Sequence, residues 1–191
     1  MRFLITLLFC FSFYTLTAQE ASKNMYSGGM LIWQPGIIQA ENPHQSIKSS
    51  SRGIGGILRF YIRDHFTIGI WGGSVNTSYA SAGSENSLLT LGYGGGFAGL
   101  TKNFEKFRIT ASFFGGYTAF NNLHIETQKG NKLTVAFLYT ENGMSFSPLL
   151  SIDYTLTPRI LLTVQGCYLN SEFMTKSFNK TALHIGLLFN R

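Results

Sequence analysis

The sequence predicts an all-β fold, an eight-stranded antiparallel up-and-down transmembrane β-barrel. Three observations predict it. Segments of about 10 to 13 residues with apolar side chains at every second position recur along the chain, close to the ~9–11 residues a tilted strand needs to cross a bilayer. The connections between them are alternately long and short. Charge is nearly confined to those connections, although a strand face in water ordinarily carries Lys and Glu freely.

The first element is an export signal. In "MRFLITLLFCFSFYTLTAQE", Arg2 supplies a positive start, residues 3–14 an apolar stretch, and Leu16-Thr17-Ala18 a small-residue cleavage site before Gln19. Residues 1–18 are read as a signal peptide and 19–191 as one barrel domain. The bulky Phe9 ahead of Cys10 argues against lipid attachment there. Cleavage leaves Cys167 as the lone cysteine, so no intrachain disulfide is expected.

Eight strands are expected over 28–38, 53–62, 66–77, 88–100, 107–119, 144–156, 160–169 and 181–190. Between them, 63–65, 101–106 and 157–159 are short, whereas 39–52, 78–86, 121–143 and 170–180 are longer and polar. Such alternation places the short turns and both termini in the periplasm and the four longer loops outside. The third loop has extended runs around Gly130-Asn131, which predicts a hairpin continuing two strands beyond the membrane. Pro148 lacks a ladder donor and predicts a bulge or local edge. Glycine-rich "GYGGGFAG" (92–99) has no Lys-Ser/Thr or helix after it; it is read as a strand that permits bulges, facing the lumen, and not as a phosphate loop.

Parity assigns faces. Phe146, Leu150, Ile152 and Tyr154 alternate with Ser147, Ser151, Asp153 and Thr155. Ile109, Phe113 and Tyr117 oppose Arg108, Thr110 and Ser112; Leu183, Ile185, Leu187 and Phe189 oppose Ala182, His184 and Gly186. In the fourth segment Leu89, Leu91, Tyr93 and Phe97 oppose Thr90, Gly92, Gly94 and Gly96. Taking the bulky set as lipid-facing throughout gives a lumen of small and polar residues. Trp33, Tyr117, Tyr154 and Tyr168 fall at strand ends, as interfacial girdle residues do. Arg59, Arg108 and Asp153 are the ions inside the eight segments. With His184 they are expected to form a lumenal polar network, because ions inside a barrel persist when paired.

Enzymatic chemistry is not expected. His44 and His124 fall in loops and His65 in a tight turn; His184 has no adjacent Ser on its strand. No His or carboxylate pair stands at metal-ligand spacing, and Cys167 is isolated, so neither metal nor cofactor is expected. A net charge of +6 reads as basic loops; no basic stripe interleaves with aromatics, which excludes nucleic acid. Lys129, Lys132, Lys176 and Lys180 are read as a solvated loop rim that can meet lipopolysaccharide phosphates.

The signal peptide ending "LTAQ", the "LGYGGGFAGL" segment, the "SPLLSIDYTLTPRILLTVQGCYL" hairpin and the final "LHIGLLFNR" resemble the small outer-membrane β-barrel family of Gram-negative bacteria, often called porin-like. The resemblance spans 19–191 and departs at the end, where Phe189 is followed by Asn190-Arg191. It implies residence in the outer membrane, contact with its lipid and lipopolysaccharide, and insertion by the outer-membrane assembly machinery. Fold carries little function here. The leading expectation is a non-enzymatic barrel whose surface loops bind an extracellular ligand or support envelope integrity. The alternatives are a narrow passive channel for small solutes, a lipid A-modifying enzyme and a soluble lipocalin-like barrel.

Overall fold

The computed structural model describes residues 25–63, 65–130, 132–172 and 177–190; the signal peptide assigned to 1–18 lies outside them. Nine strands follow in order: β1 (Met25–Trp33), β2 (Gly36–Glu41), β3 (Ser46–Ile62), β4 (Phe66–Ser81), β5 (Ser84–Asn103), β6 (Phe107–Lys129), β7 (Lys132–Thr157), β8 (Ile160–Glu172) and β9 (Ser177–Asn190). Every pairing is antiparallel: β3 to β9 pair in chain order, and β1 and β2 both pair with β3 and close the sheet on β9. β1 and β2 are two halves of one stave, so the ring has eight staves.

The break at Gln34-Pro35 is one of hydrogen bonding and not of register. Pro35 has no N–H to give. The Trp33↔Ile54 and Gly36↔Ser51 pairs nevertheless continue one register, bridged by Gln34 N–H donating to Gly53 C=O at 2.9 Å. Pro148 behaves similarly. Its register with β6 is unbroken, and the ladder to β8 merely skips Ser147-Pro148. Of the expected bulge or local edge, the structure shows the local edge: the missing donor breaks the ladder to β8 there, and no residue has to be inserted. Residues 92–99 also pair without a shift on both sides.

Outward side chains form an apolar belt. Trp33, Tyr117 and Tyr168 stand at its edge nearer the long β6–β7 hairpin, and Phe66, Phe107, Tyr154 and Phe189 at its edge nearer the short β3–β4, β5–β6 and β7–β8 turns. Leu150, Ile152, Leu183 and Leu187 lie between. On β5 the expected faces are reversed: Leu89 and Leu91 are 0% exposed, Tyr93 and Phe97 are buried, and Gly94 and Gly96 look outward. With Trp71, Val75, Phe114 and Leu188 these side chains fill the lumen. The lumen is therefore no cavity of small groups; an eight-stranded ring is just wide enough for large side chains to pack across it. Outward Gly56, Gly72 and Gly94 then leave a shallow groove in the lipid-facing wall.

Residues read as loops are mostly strand. The 39–52 segment is a hairpin paired to Glu41↔Ser46, and 78–86 pairs to Ser81↔Ser84. The β6–β7 hairpin extends to Lys129↔Lys132 and turns at Gly130, whose φ of 58 suits glycine. Twelve residues beyond Tyr117 at ~3.3 Å each give β6 about 40 Å of strand outside the membrane.

Candidate functional site

The third of the lumen nearest the short β3–β4, β5–β6 and β7–β8 turns is a chain of buried polar groups. Asp153 on β7 accepts from Arg108 Nε of β6 at 3.0 Å and lies 3.5 Å from Arg59 Nη1 of β3. Thr163 of β8 adds a third donor at 2.8 Å. The first contact follows from register, since Arg108 and Asp153 are paired across β6 and β7. Arg59 reaches across the lumen and also donates to Gln165 Oε1. Gln165 Nε2 meets His184 Nδ1 at 3.0 Å. Arg108 lies over the Tyr61 ring, 4.0 Å from its centroid. Arg59, Arg108, Asp153 and His184 are thus all lumenal, and His184 joins the ions through Gln165.

Above this layer lies an aromatic one. Trp71 stands 4.6 Å from the Tyr93 and Phe114 ring centroids and 5.1 Å from His184. Two sequence readings need correction here. Cys167 is not isolated: its Sγ lies 3.3 Å from His184 Nε2, because the two residues face inward on adjacent strands. Lys180 is no loop charge. It belongs to β9, is fully buried, donates to Gln34 Oε1 at 3.1 Å and lies 5.0 Å from the Tyr93 centroid. Tyr93 OH donates to the same Gln34 oxygen. The Cys167 contact was missed because it depends on the register of β8 against β9, and Lys180 because the last strand was started at Thr181; inward parity, counted two residues back from Ala182, picks out Lys180.

At the opposite mouth, beside the long β6–β7 hairpin, Asn42 of the β2–β3 turn reaches Tyr79 OH (3.2 Å) and His124 Nδ1 (3.4 Å). Tyr79 donates to Asn122 at 2.7 Å. His44 of the same turn stacks on His124 with centroids 4.4 Å apart and planes 8° apart, and its Nε2 meets Tyr139 OH at 2.8 Å. The turn is thereby latched onto the β6–β7 hairpin. Burial and neighbouring His44 push His124 below the ordinary histidine value, with Glu126 opposing. Rings in parallel planes cannot aim both in-plane lone pairs at one metal, and no group of three metal-ligating side chains exists among the described residues. His65 is apart from all this, exposed in the β3–β4 turn.

Beyond Met144↔Glu172, β7 pairs with no described strand on its β8 side. Thr155 N–H donates to Lys106 C=O; antiparallel alternation then turns the odd residues of β7 toward β6 while the register holds, and the even ones away. Leu138, Thr140 and Asn142 therefore present N–H and C=O groups at an edge that no described strand covers. Leu133, Val135, Phe137 and Leu138 are exposed along it, Leu138 at 69%.

No known family profile matches the chain, and no curated protein matches it in sequence. Solved structures do. Neisserial surface protein A is 14% identical at a TM-score of 0.56, over 86% of this chain and 96% of that one. The attachment invasion locus protein of Yersinia pestis is 9% identical at 0.55, over 87% and 99%. OprG of Pseudomonas aeruginosa is 12% identical at 0.50, over 87% and 94%. Ring order, apolar belt and these likenesses agree: the chain has the fold of the small eight-stranded outer-membrane β-barrels.

Proposed function

We propose that the protein is a non-catalytic surface-binding barrel whose β6–β7 hairpin captures an extended polypeptide segment by strand addition. One observation carries the reading: residues 132–143 form a strand laddered to β6 on one side, with an edge that no described strand covers and exposed apolar side chains on the other. An edge of this kind supplies main-chain hydrogen bonds for affinity and alternating side-chain contacts for selectivity. Lys129 and Lys132 at the tip favour a segment that carries carboxylates. The filled lumen supports binding over solute passage. The Cys167–His184 pair is buried among lumenal side chains, out of reach of a substrate, which supports a role without catalysis. This reading places the ligand at the hairpin and leaves the barrel wall in lipid; the roles of lipopolysaccharide and the assembly machinery belong to the proposal as well.

The test is a panel of immobilised eight-residue peptides with alternating apolar residues and one or two Asp, probed with detergent-solubilised protein. Thr140→Pro removes an edge N–H and leaves the main-chain ladder to β6 in place, and Thr140→Val, which loses only the Thr140 Oγ1 bond to Asn121 Oδ1 at 3.0 Å, is the control expected to bind as wild type. Wild-type binding that falls at least tenfold in Thr140→Pro supports strand addition. Equal binding by both proteins, or none by wild type, refutes it.

A further inference from the structure

The periplasmic turns are joined into one rim. Thr101 N–H donates to His65 C=O at 2.7 Å, tying the first turn to β5. Phe104 N–H donates to Phe107 C=O at 2.7 Å, and Thr155 N–H to Lys106 C=O at 3.0 Å, tying the second turn to β7. Arg63, Lys102, Lys106 and Arg159 are exposed on this rim, and Glu105 is the one carboxylate among its described residues. Beyond the opposite girdle, by contrast, Lys48, Lys129 and Lys132 are interspersed with Glu41, Glu126 and Glu141.

Lys102 shows the depth of the rim. It pairs with Ile109 on the outward face, level with side chains of the apolar belt, and its ammonium lies 5.5 Å from the Phe104 centroid. Its stem covers apolar surface while its charge sits at the foot of the belt, the arrangement of a long cation at a membrane interface. Phe104 and Phe107 are half exposed beside it.

We propose that this rim binds the phosphate groups of anionic phospholipids in the inner leaflet of the membrane. The aromatics face acyl chains, and the cations stand where the phosphates of those same lipids lie. An acidic soluble partner would leave Phe104 and Phe107 unexplained, whereas lipid accounts for charge and aromatics together. The site is separate from the extracellular hairpin, so each proposal fails or stands alone.

The test is native mass spectrometry of the folded protein in detergent with an equimolar mixture of phosphatidylglycerol and phosphatidylcholine. Wild type is expected to retain phosphatidylglycerol preferentially. The exposed variant K102Q/K106Q/R159Q should lose that preference by roughly tenfold or more, given three interfacial cations removed, while K48Q/K129Q/K132Q keeps it. Heat-modifiable gel mobility verifies that each variant is folded. The proposal is overturned if wild type does not discriminate, if the extracellular variant loses as much as the periplasmic one, or if millimolar inorganic phosphate displaces the lipid completely.

Discussion

Asp153→Ala tests the lumenal network most directly. The substitution removes the one carboxylate shared by Arg59 and Arg108, and with it the acceptor for Thr163. At separations of 3.5 and 3.0 Å, Coulomb attraction at an effective dielectric of 20 is roughly 5 kcal/mol for each pair before desolvation is counted. Desolvation offsets much of that when all partners are present. It is not offset when two guanidinium groups stay buried without the carboxylate, and breaking such pairs typically costs about 3–5 kcal/mol. Gln165 still accepts from Arg59, and Tyr61 still faces Arg108, which argues for the lower half of that range. Reversible urea unfolding of the barrel in lipid vesicles, followed by tryptophan fluorescence, measures the loss. A triple variant with Asp153, Arg59 and Arg108 all replaced by Met should recover most of it, because no buried charge remains. An Asp153→Ala barrel within about 1 kcal/mol of wild type would show that water solvates these ions, and would refute the argument.

Further outcomes are expected. Leu150→Arg places a cation at a lipid-facing position 57% exposed and should cost about 2–4 kcal/mol near mid-membrane, whereas Ser151→Ala in the lumen should cost much less; the same titration compares them. Wild-type protein in planar bilayers should show negligible steady conductance, and a large steady current would restore the channel reading. Because burial under the docked turn depresses the His124 pKa, His124 takes up its proton more readily when the turn is undocked; latch stability is full above the ordinary value of 6.5 and is lost as pH falls below it. Amide exchange at Gln45, whose N–H is bonded to Asn42 Oδ1 at 2.7 Å, should therefore quicken relative to its intrinsic rate at acid pH in wild type and not in His124→Phe, which removes the titrating ring. Protease added to intact cells should cut in the β2–β3, β4–β5, β6–β7 and β8–β9 connections and spare residues 101–106.

Much of the barrel is legible in the sequence because lipid imposes a stricter pattern than water. The faces of β6, β7 and β9 follow from alternation, since their outward set is bulky and apolar while polar Arg108, Thr110, Ser147, Ser151, Asp153 and His184 mark the inward face, even though Phe114, Leu149 and Leu188 share it. On β5 the same rule inverts the strand: Leu91 and Tyr93 fill the lumen, while Gly94 and Gly96 face lipid. Both sides of that strand are apolar enough for either solvent, so only the volume needed across the ring decides, and one strand's periodicity does not contain that quantity. Arg108 and Asp153 are adjacent by strand order. Arg59, Gln165 and Cys167 meet their partners through register and closure, which depend on all eight staves at once. Lys180 was hidden by a strand boundary, the quantity that periodicity defines least sharply. The mouth latch joins residues from a turn and three strands, and none of them carries a local signature.

The seam where β1 and β2 meet β9 has a kinetic consequence. Leu31 pairs with Leu187, and Gln39 with Asn179, so the earliest and latest segments of the described barrel are neighbours. Hairpins between β3 and β8 can form as their residues become available, but the ring cannot close until the last fourteen described residues have arrived. Contacts this distant in the chain are the slowest kind to make. Until they form, both terminal staves carry open, apolar edges that pair readily with any other strand. The seam is therefore the last part of the ring to pair, and the risk of aggregation is concentrated in the interval before it closes.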